Sequence, residues 1–276
     1  METKKMNEFF SSLENVLFCP NPLDKFTLFE DFYSNFLDQK NHMDHNYLPK
    51  NQKNPSYAGF CNIVHPTKIS RPKMLQSNQN LAKIIHSLAH IEYSAIDLAL
   101  DAAYRFQNLP TQYYKDWLEV ANQEINHFKL LQNILNDLGF SYGDFDVHNN
   151  LYEAMVLTSS SVFDRMGLVH KGLEAMGLDA NPFVVEKIKT SSHPIKSKII
   201  QVLEIILRDE ISHVNKGNKW WKYTNTTNLS FNTFVKRFSN FSIIGKIPNI
   251  EARIIAGFEE NEILDIINAT KQKVIY

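Results

Sequence analysis

Val120-Ala-Asn-Gln-Glu124-Ile-Asn-His127-Phe128 sets a Glu-x-x-His step into an otherwise apolar helical stripe. Counted in helical steps from Glu124, the same face carries Tyr113, Trp117, Val120 and Ala121 before it and Phe128, Leu131, Leu135 and Leu138 after it. Glu124 and His127 therefore point toward a core. Burying an unpartnered charge costs several kcal/mol, but a carboxylate and an imidazole one turn apart form two legs of a metal site. The step recurs once, at Glu210-Ile-Ser-His213, where the stripe is Ile199, Leu203, Ile206 and Leu207, then Val214, Gly217 and Trp221. On the order of one such step arises by chance in a chain of this length, so a single copy carries little weight. Two copies, both near helix midpoints and both facing inward, carry more.

The helices around these two steps follow from start and stop signals. A first long helix is expected from about Asn78 to Phe106, closed by Leu109-Pro110-Thr111, with an apolar stripe of Leu81, Ile85, Leu88, Ala89, Ala95, Ile96, Ala99 and Ala103. Glu92 falls within that stripe, and its small neighbours leave room for a cluster. His86 and His90 lie about 240° and 200° of rotation away, which marks them as supporting or satisfied polar residues rather than ligands. Asp97 and Asp101 could accept from them or from Arg105. A second helix spans about Thr111 to Leu138 and stops at Gly139. A third is expected from about Asn149 to Met176, ended by Gly177-Leu-Asp-Ala-Asn-Pro182, with a short helical piece from Pro182 to Lys189. Asp164 and Glu174 both lie on the third helix, and periodicity does not choose between them. The fourth, from about Pro194 to Tyr223, holds the second step.

Outside residues 78–223 the pattern weakens. Short helices are expected at Lys5 to Leu17 and Lys25 to Asp38, separated by Cys19-Pro-Asn-Pro22, and at Ser230 to Phe241 and Asn249 to Asn268. Residues 40–73, rich in Asn, His, Lys and Pro, have no sustained period and read as an extended connection wrapping the core, with His65 at the surface. No strand period, glycine-rich phosphate loop or repeat emerges. The expected organisation is all-α: accessory helices and wrapping segment at 1–77, a four-helix bundle at 78–223 and a helical cap at 224–276.

With 276 residues and 43% hydrophobic content the chain can bury a large core. Its longest apolar runs, such as Ile263 to Ile267, are too short for a membrane span, and residues 1–17 carry Glu2, Glu8 and Glu14 and no secretory core. Cys19 and Cys61 form neither a disulfide framework nor a thiolate metal site. A cytoplasmic protein is the expectation. The net charge of −1 and a pI near 6.8 argue against a dedicated nucleic-acid binder. Residues 186–276 nevertheless carry 14 Lys and Arg against 9 Asp and Glu, most simply a solvated face. Tyr93, Tyr104, Trp117, Trp220 and Trp221 fit core packing better than redox chemistry.

Four long helices with acidic residues at mid-height are what a dinuclear carboxylate site in a helical bundle requires: one Glu from each of two helices, and a Glu with a His three residues on from each of the other two. Carboxylate oxygens with one nitrogen per ion suit iron or manganese.

The segments His86-Ser-Leu-Ala-His-Ile-Glu-Tyr-Ser-Ala-Ile-Asp-Leu-Ala, Glu124-Ile-Asn-His-Phe-Lys-Leu-Leu, Leu173-Glu-Ala-Met-Gly-Leu-Asp, Leu207-Arg-Asp-Glu-Ile-Ser-His-Val and Asn249-Ile-Glu-Ala-Arg-Ile-Ile-Ala-Gly-Phe resemble the ferritin-like proteins grouped as domain of unknown function 455. The resemblance runs from about residue 78 onward. It implies a ferritin-like fold with two iron ions, or one manganese and one iron, and favours Glu174 over Asp164 as the third-helix ligand. The implied ligand set is Glu92, Glu124, His127, Glu174, Glu210 and His213. It also implies distant kinship to the tRNA-modifying hydroxylase MiaE.

Three functions are then open. The first is an O2-dependent oxidoreductase that hydroxylates or oxidises an unidentified substrate with electrons from an unidentified donor. The second is ferroxidase or iron-handling activity, and the third a metal-stabilised binding module without catalysis. Nucleic acid enters as a partner only through the tRNA analogy, no membrane is expected, and a homodimer is compatible with the pattern.

Overall fold

A computed structural model describes residues 7–273, with side chains to residue 268. The fold is all-α, as the periodicity requires. The described strands are a parallel pair of two residues each, β1 (Asn7–Glu8) and β2 (Asn41–His42). The chain forms two compact units, residues 1–70, 85–136 and 140–152 in the first and residues 71–84, 137–139 and 153–276 in the second.

In the first unit, α1 (Phe9–Leu17) starts where the Glu8 carboxylate accepts from the Phe10 and Ser11 amides. The helix α2 (Pro22–Leu37) starts at Asn21, whose Oδ1 accepts from Leu23 and Asp24, with Pro22 at the first helical position. Both bury phenylalanines: Phe9, Phe10, Phe26, Phe29, Phe32 and Phe36. The long helix α3 (Asn78–Arg105) follows, and then α4 (Thr111–Asp137). Tyr113 and Tyr114 of α4 donate their hydroxyls to the Ala102 and Phe106 carbonyls, which ties the two helices at their shared end. Gly139, at φ +82°, closes α4, and the Phe140 amide reaches back to the Leu135 carbonyl.

The connection over residues 40–73 is extended apart from β2 and two short 3₁₀ turns, Ser56–Gly59 and Pro66–Lys68, and His65 within it is exposed. It is held by polar anchors. Ser56 Oγ donates to Asp97 Oδ2 at 2.5 Å, the Lys50 amide donates to Tyr104 Oη at 2.7 Å, and Lys25 Nζ, fully buried, pairs with Asp97. Asp97 therefore does not serve His86 or His90. Asp101 accepts from Arg105. His86 Nε2 accepts from the Gly143 amide, and His90 bonds Tyr142 Oη and the His148 carbonyl. Both histidines take partners from the loop after α4, though His86 Nδ1 has none among the described residues, and spacing along α3 could not foretell this.

In the second unit the expected third helix is broken. α5 (Asn150–Leu157) stops at Thr158-Ser-Ser-Ser161, hydroxyl side chains that compete for backbone groups. Thr158 Oγ1 bonds the Ala154 carbonyl, and Ser161 caps α6 (Val162–Asp164). Buried Arg165 then donates to Thr158 Oγ1 and to the Met155 carbonyl, taking up the end of α5. A π-helix spans Arg165–Leu173, and α7 (Ala175–Lys189) begins directly after Glu174.

The expected stop at Gly177 to Pro182 does not occur, since α7 runs through Pro182. A proline inside a helix removes one amide donor and strands the carbonyl four residues back. That carbonyl, Leu178 O, accepts instead from Asn249 Nδ2 at 3.3 Å. A residue 71 positions away from that carbonyl thus permits the continuation.

α8 (Lys196–Thr224) packs along the π-helix and α7. α9 (Phe231–Val235), α10 (Ile250–Ile255) and α11 (Glu260–Lys273) close the unit. Asp179, on α7, accepts from the amides of Gly245 and Asn249 and from the buried Arg253 guanidinium. Lys171 of the π-helix lies among the rings of Trp221, Phe231 and Phe258 and pairs with Glu262 at 2.9 Å. The aromatic residues singled out in the sequence are all buried.

Candidate metal centre

Glu92 lies midway along α3, while Glu124 and His127 share a face of α4 because they stand one helical turn apart. All three are buried, at 5, 0 and 1% exposure. His127 Nδ1 is 3.1 Å from Glu92 Oε2 and 3.4 Å from Glu124 Oε2, so one nitrogen faces two carboxylates from different helices. Ligand atoms of all three lie within 4.8 Å of one another. Two ligands on opposite sides of an octahedral ion with bonds of about 2.1 Å are about 4.2 Å apart, so little rearrangement is needed to admit a cation.

The electrostatics point the same way. Burial pulls the His127 imidazolium toward deprotonation, but the carboxylates of Glu124 and Glu92 outweigh it and hold its pKa far above the usual histidine range. The cluster demands positive charge, and a proton or a metal ion can supply it. Two carboxylates and an imidazole are donors suited to iron and manganese.

The second unit holds two further carboxylate–imidazole pairs. Glu210 and His213 of α8 lie with Oε1 and Nδ1 3.6 Å apart, and the His213 side chain is fully buried. A Cβ placed on Gly177 of α7 would sit 3.9 Å from Glu210 Oε2. Three residues before Gly177, the Glu174 carboxylate is 2.7 Å from His170 Nδ1, with the two side chains 8 and 0% exposed. Asp164, the other acidic residue of this region, pairs with Arg237 at 2.9 Å. Sequence reasoning assigned no role to His170. The available signal was its i, i+4 spacing from Glu174, which periodicity could not weigh because the segment is a π-helix rather than an α-helix.

Fold and site together define an all-α protein with a buried group of glutamates and histidine able to hold a metal ion. The chain belongs to the family described as Protein of unknown function (DUF455), which it matches over residues 18–264. An uncharacterized protein of Haemophilus influenzae is 34% identical over 284 residues, covering 98% of this chain and 97% of that protein. No solved structure matches. Among the described residues no helix is long and apolar enough to cross a membrane.

Proposed function

We propose that Glu92, Glu124 and His127 hold one metal ion, and that Glu174, Glu210 and His213 hold a second. The observation that carries this reading is the convergence of three buried ligand side chains from two helices within 4.8 Å. The two Glu-x-x-His steps and the resemblance to a carboxylate-rich ferritin-like pattern support extending it to a pair of ions. Iron, or iron with manganese, fits the donors.

A reduced pair of such ions would supply the activation of O2, and the function we assign is oxidation or hydroxylation of an organic substrate. The chain's own contribution is to fix the carboxylates on helices and to exclude water. Val120, Ala121, Phe128 and Leu131 on α4 and Ala89, Ile96 and Ala99 on α3 are buried around Glu92 and Glu124. The sequence resemblance that implies distant kinship to a tRNA-modifying hydroxylase makes tRNA the first substrate class to examine. The test is O2 uptake by the iron-loaded, chemically reduced protein. The reading expects uptake in wild type and none above background in Glu124→Ala. Metal that stays redox-silent would replace it with a structural role, and iron loading well beyond two per chain with iron storage.

A further inference from the structure

We propose that His170 is a positioning residue of the metal centre: its Nδ1–H donates to Glu174 Oε1 and fixes the direction in which that carboxylate presents its second oxygen. The inference rests on the metal-binding reading above. An ionised carboxylate can only accept, so at 2.7 Å the proton of this bond belongs to His170 Nδ1.

The backbone is arranged to make this pair. The Glu174 amide bonds the Val169 carbonyl, five residues back, so the wide π turn persists up to Glu174 and keeps residues 170 and 174 on one side of the helix. α8 then fixes His170 from behind. A Cβ at Gly217 would lie 2.3 Å from His170 O and 2.9 Å from His170 Cβ, so only glycine lets α8 approach this closely. Gly217 stands one turn beyond His213 and two beyond Glu210, which places the His170–Glu174 pair against the α8 face that carries the second Glu-x-x-His step.

A liganding carboxylate that is free to swing loses part of its affinity to rotamer entropy and to alternative partners. An imidazole N–H held by packing removes that freedom, and the loss of such an outer partner costs about 10–100-fold in metal affinity. The ion that Glu174 would hold is divalent iron or manganese, with His170 acting through that carboxylate.

The test measures Mn(II) and Fe(II) affinity of the full-length protein by anaerobic competition with a chelating dye. Wild type is compared with His170→Leu, which removes the donor, His170→Asn, which retains an N–H near the Nδ1 position, and Glu174→Ala. The expected result is a loss of about 10–100-fold in His170→Leu and recovery toward wild type in His170→Asn. Thermal unfolding of the metal-free proteins should leave His170→Asn and wild type alike. Unchanged affinity in His170→Leu overturns the proposal, as does an equal loss in His170→Asn. If wild type binds no metal, the reading beneath it fails. If Glu174→Ala loses metal and His170→Leu does not, only the positioning role fails. Should His170→Leu not fold, ¹⁵N-histidine spectra of wild type decide: Zn(II), as a diamagnetic stand-in, should shift the His170 Nδ1 resonance with its proton retained, and an unmoved resonance overturns the proposal.

Discussion

His127 Nδ1 and Glu92 Oε2 approach to 3.1 Å, joining α4 to α3 across 35 residues of sequence. The contact places the imidazole proton where a cation would otherwise sit, between Glu92 and Glu124. A metal ion held here would compete with that proton for the same nitrogen. Because the carboxylates hold the His127 proton firmly, uptake of an ion must expel it. Apparent metal affinity should rise by about tenfold per pH unit between pH 6 and 8 for one displaced proton, with acid released into a weak buffer. A pH-independent affinity over that range would contradict the competition.

The histidines behind the site set an acid limit on the fold. Burial, the largest influence on each, pushes His86 down to about 4 and His90 to about 3, so both are neutral in the folded protein. In the unfolded chain they take up protons near pH 6.5. The unfolded state thus binds more protons below pH 6.5, and stability is intact above that value and falls as the pH drops toward 4. The slope is about 1.4 kcal/mol per pH unit for each residue, on the order of 3 kcal/mol in all for His86. Urea unfolding at pH 7 and pH 5 measures it. A His86→Gln variant should show a shallower loss between the two, and an equal loss would refute the assignment.

Asn249 does two jobs at once, accepting from the Ala252 amide as the cap of α10 and donating to the Leu178 carbonyl that Pro182 strands. Asn249→Ala should cost about 1–3 kcal/mol. Pro182→Ala restores a backbone donor for Leu178 and should recover part of that loss in the double variant, while helping wild type less. Strict additivity of the two changes would show that the carbonyl is not what links them.

The Arg253–Asp179 pair is 0 and 1% exposed, with both Asp179 oxygens engaged by the guanidinium and by the amides of Gly245 and Asn249. Removing one partner leaves a buried charge. Arg253→Ala should lose about 3–5 kcal/mol of stability, measured by denaturant unfolding, whereas replacing both residues by apolar ones of similar volume should lose less.

These residues show where a linear sequence informs and where it does not. The boundaries of α3 and α4 were legible because Pro110, Thr111 and Gly139 are local signals and the apolar stripes repeat every turn. Glu92, Glu124 and His127 stood out for the same reason, being polar residues inside those stripes. The path from residue 150 to 189 was not legible. Its break at Thr158 is consolidated by Arg165, its π-helix has the wrong period for an α-helical count, and its passage through Pro182 depends on Asn249. Each is decided by a tertiary partner, and His170 was overlooked with them. The partners of His86 and His90 lie in the loop after α4, again beyond local pattern.

The most direct measurement is transition-metal content per chain, by elemental analysis of protein purified after iron and manganese supplementation, for wild type, Glu92→Ala and Glu124→Ala. Up to two equivalents of iron, or of iron with manganese, are expected in wild type, with a clear loss in both variants while their helical content is unchanged. Wild type holding no more metal than the variants would contradict a metal centre built on Glu92, Glu124 and His127.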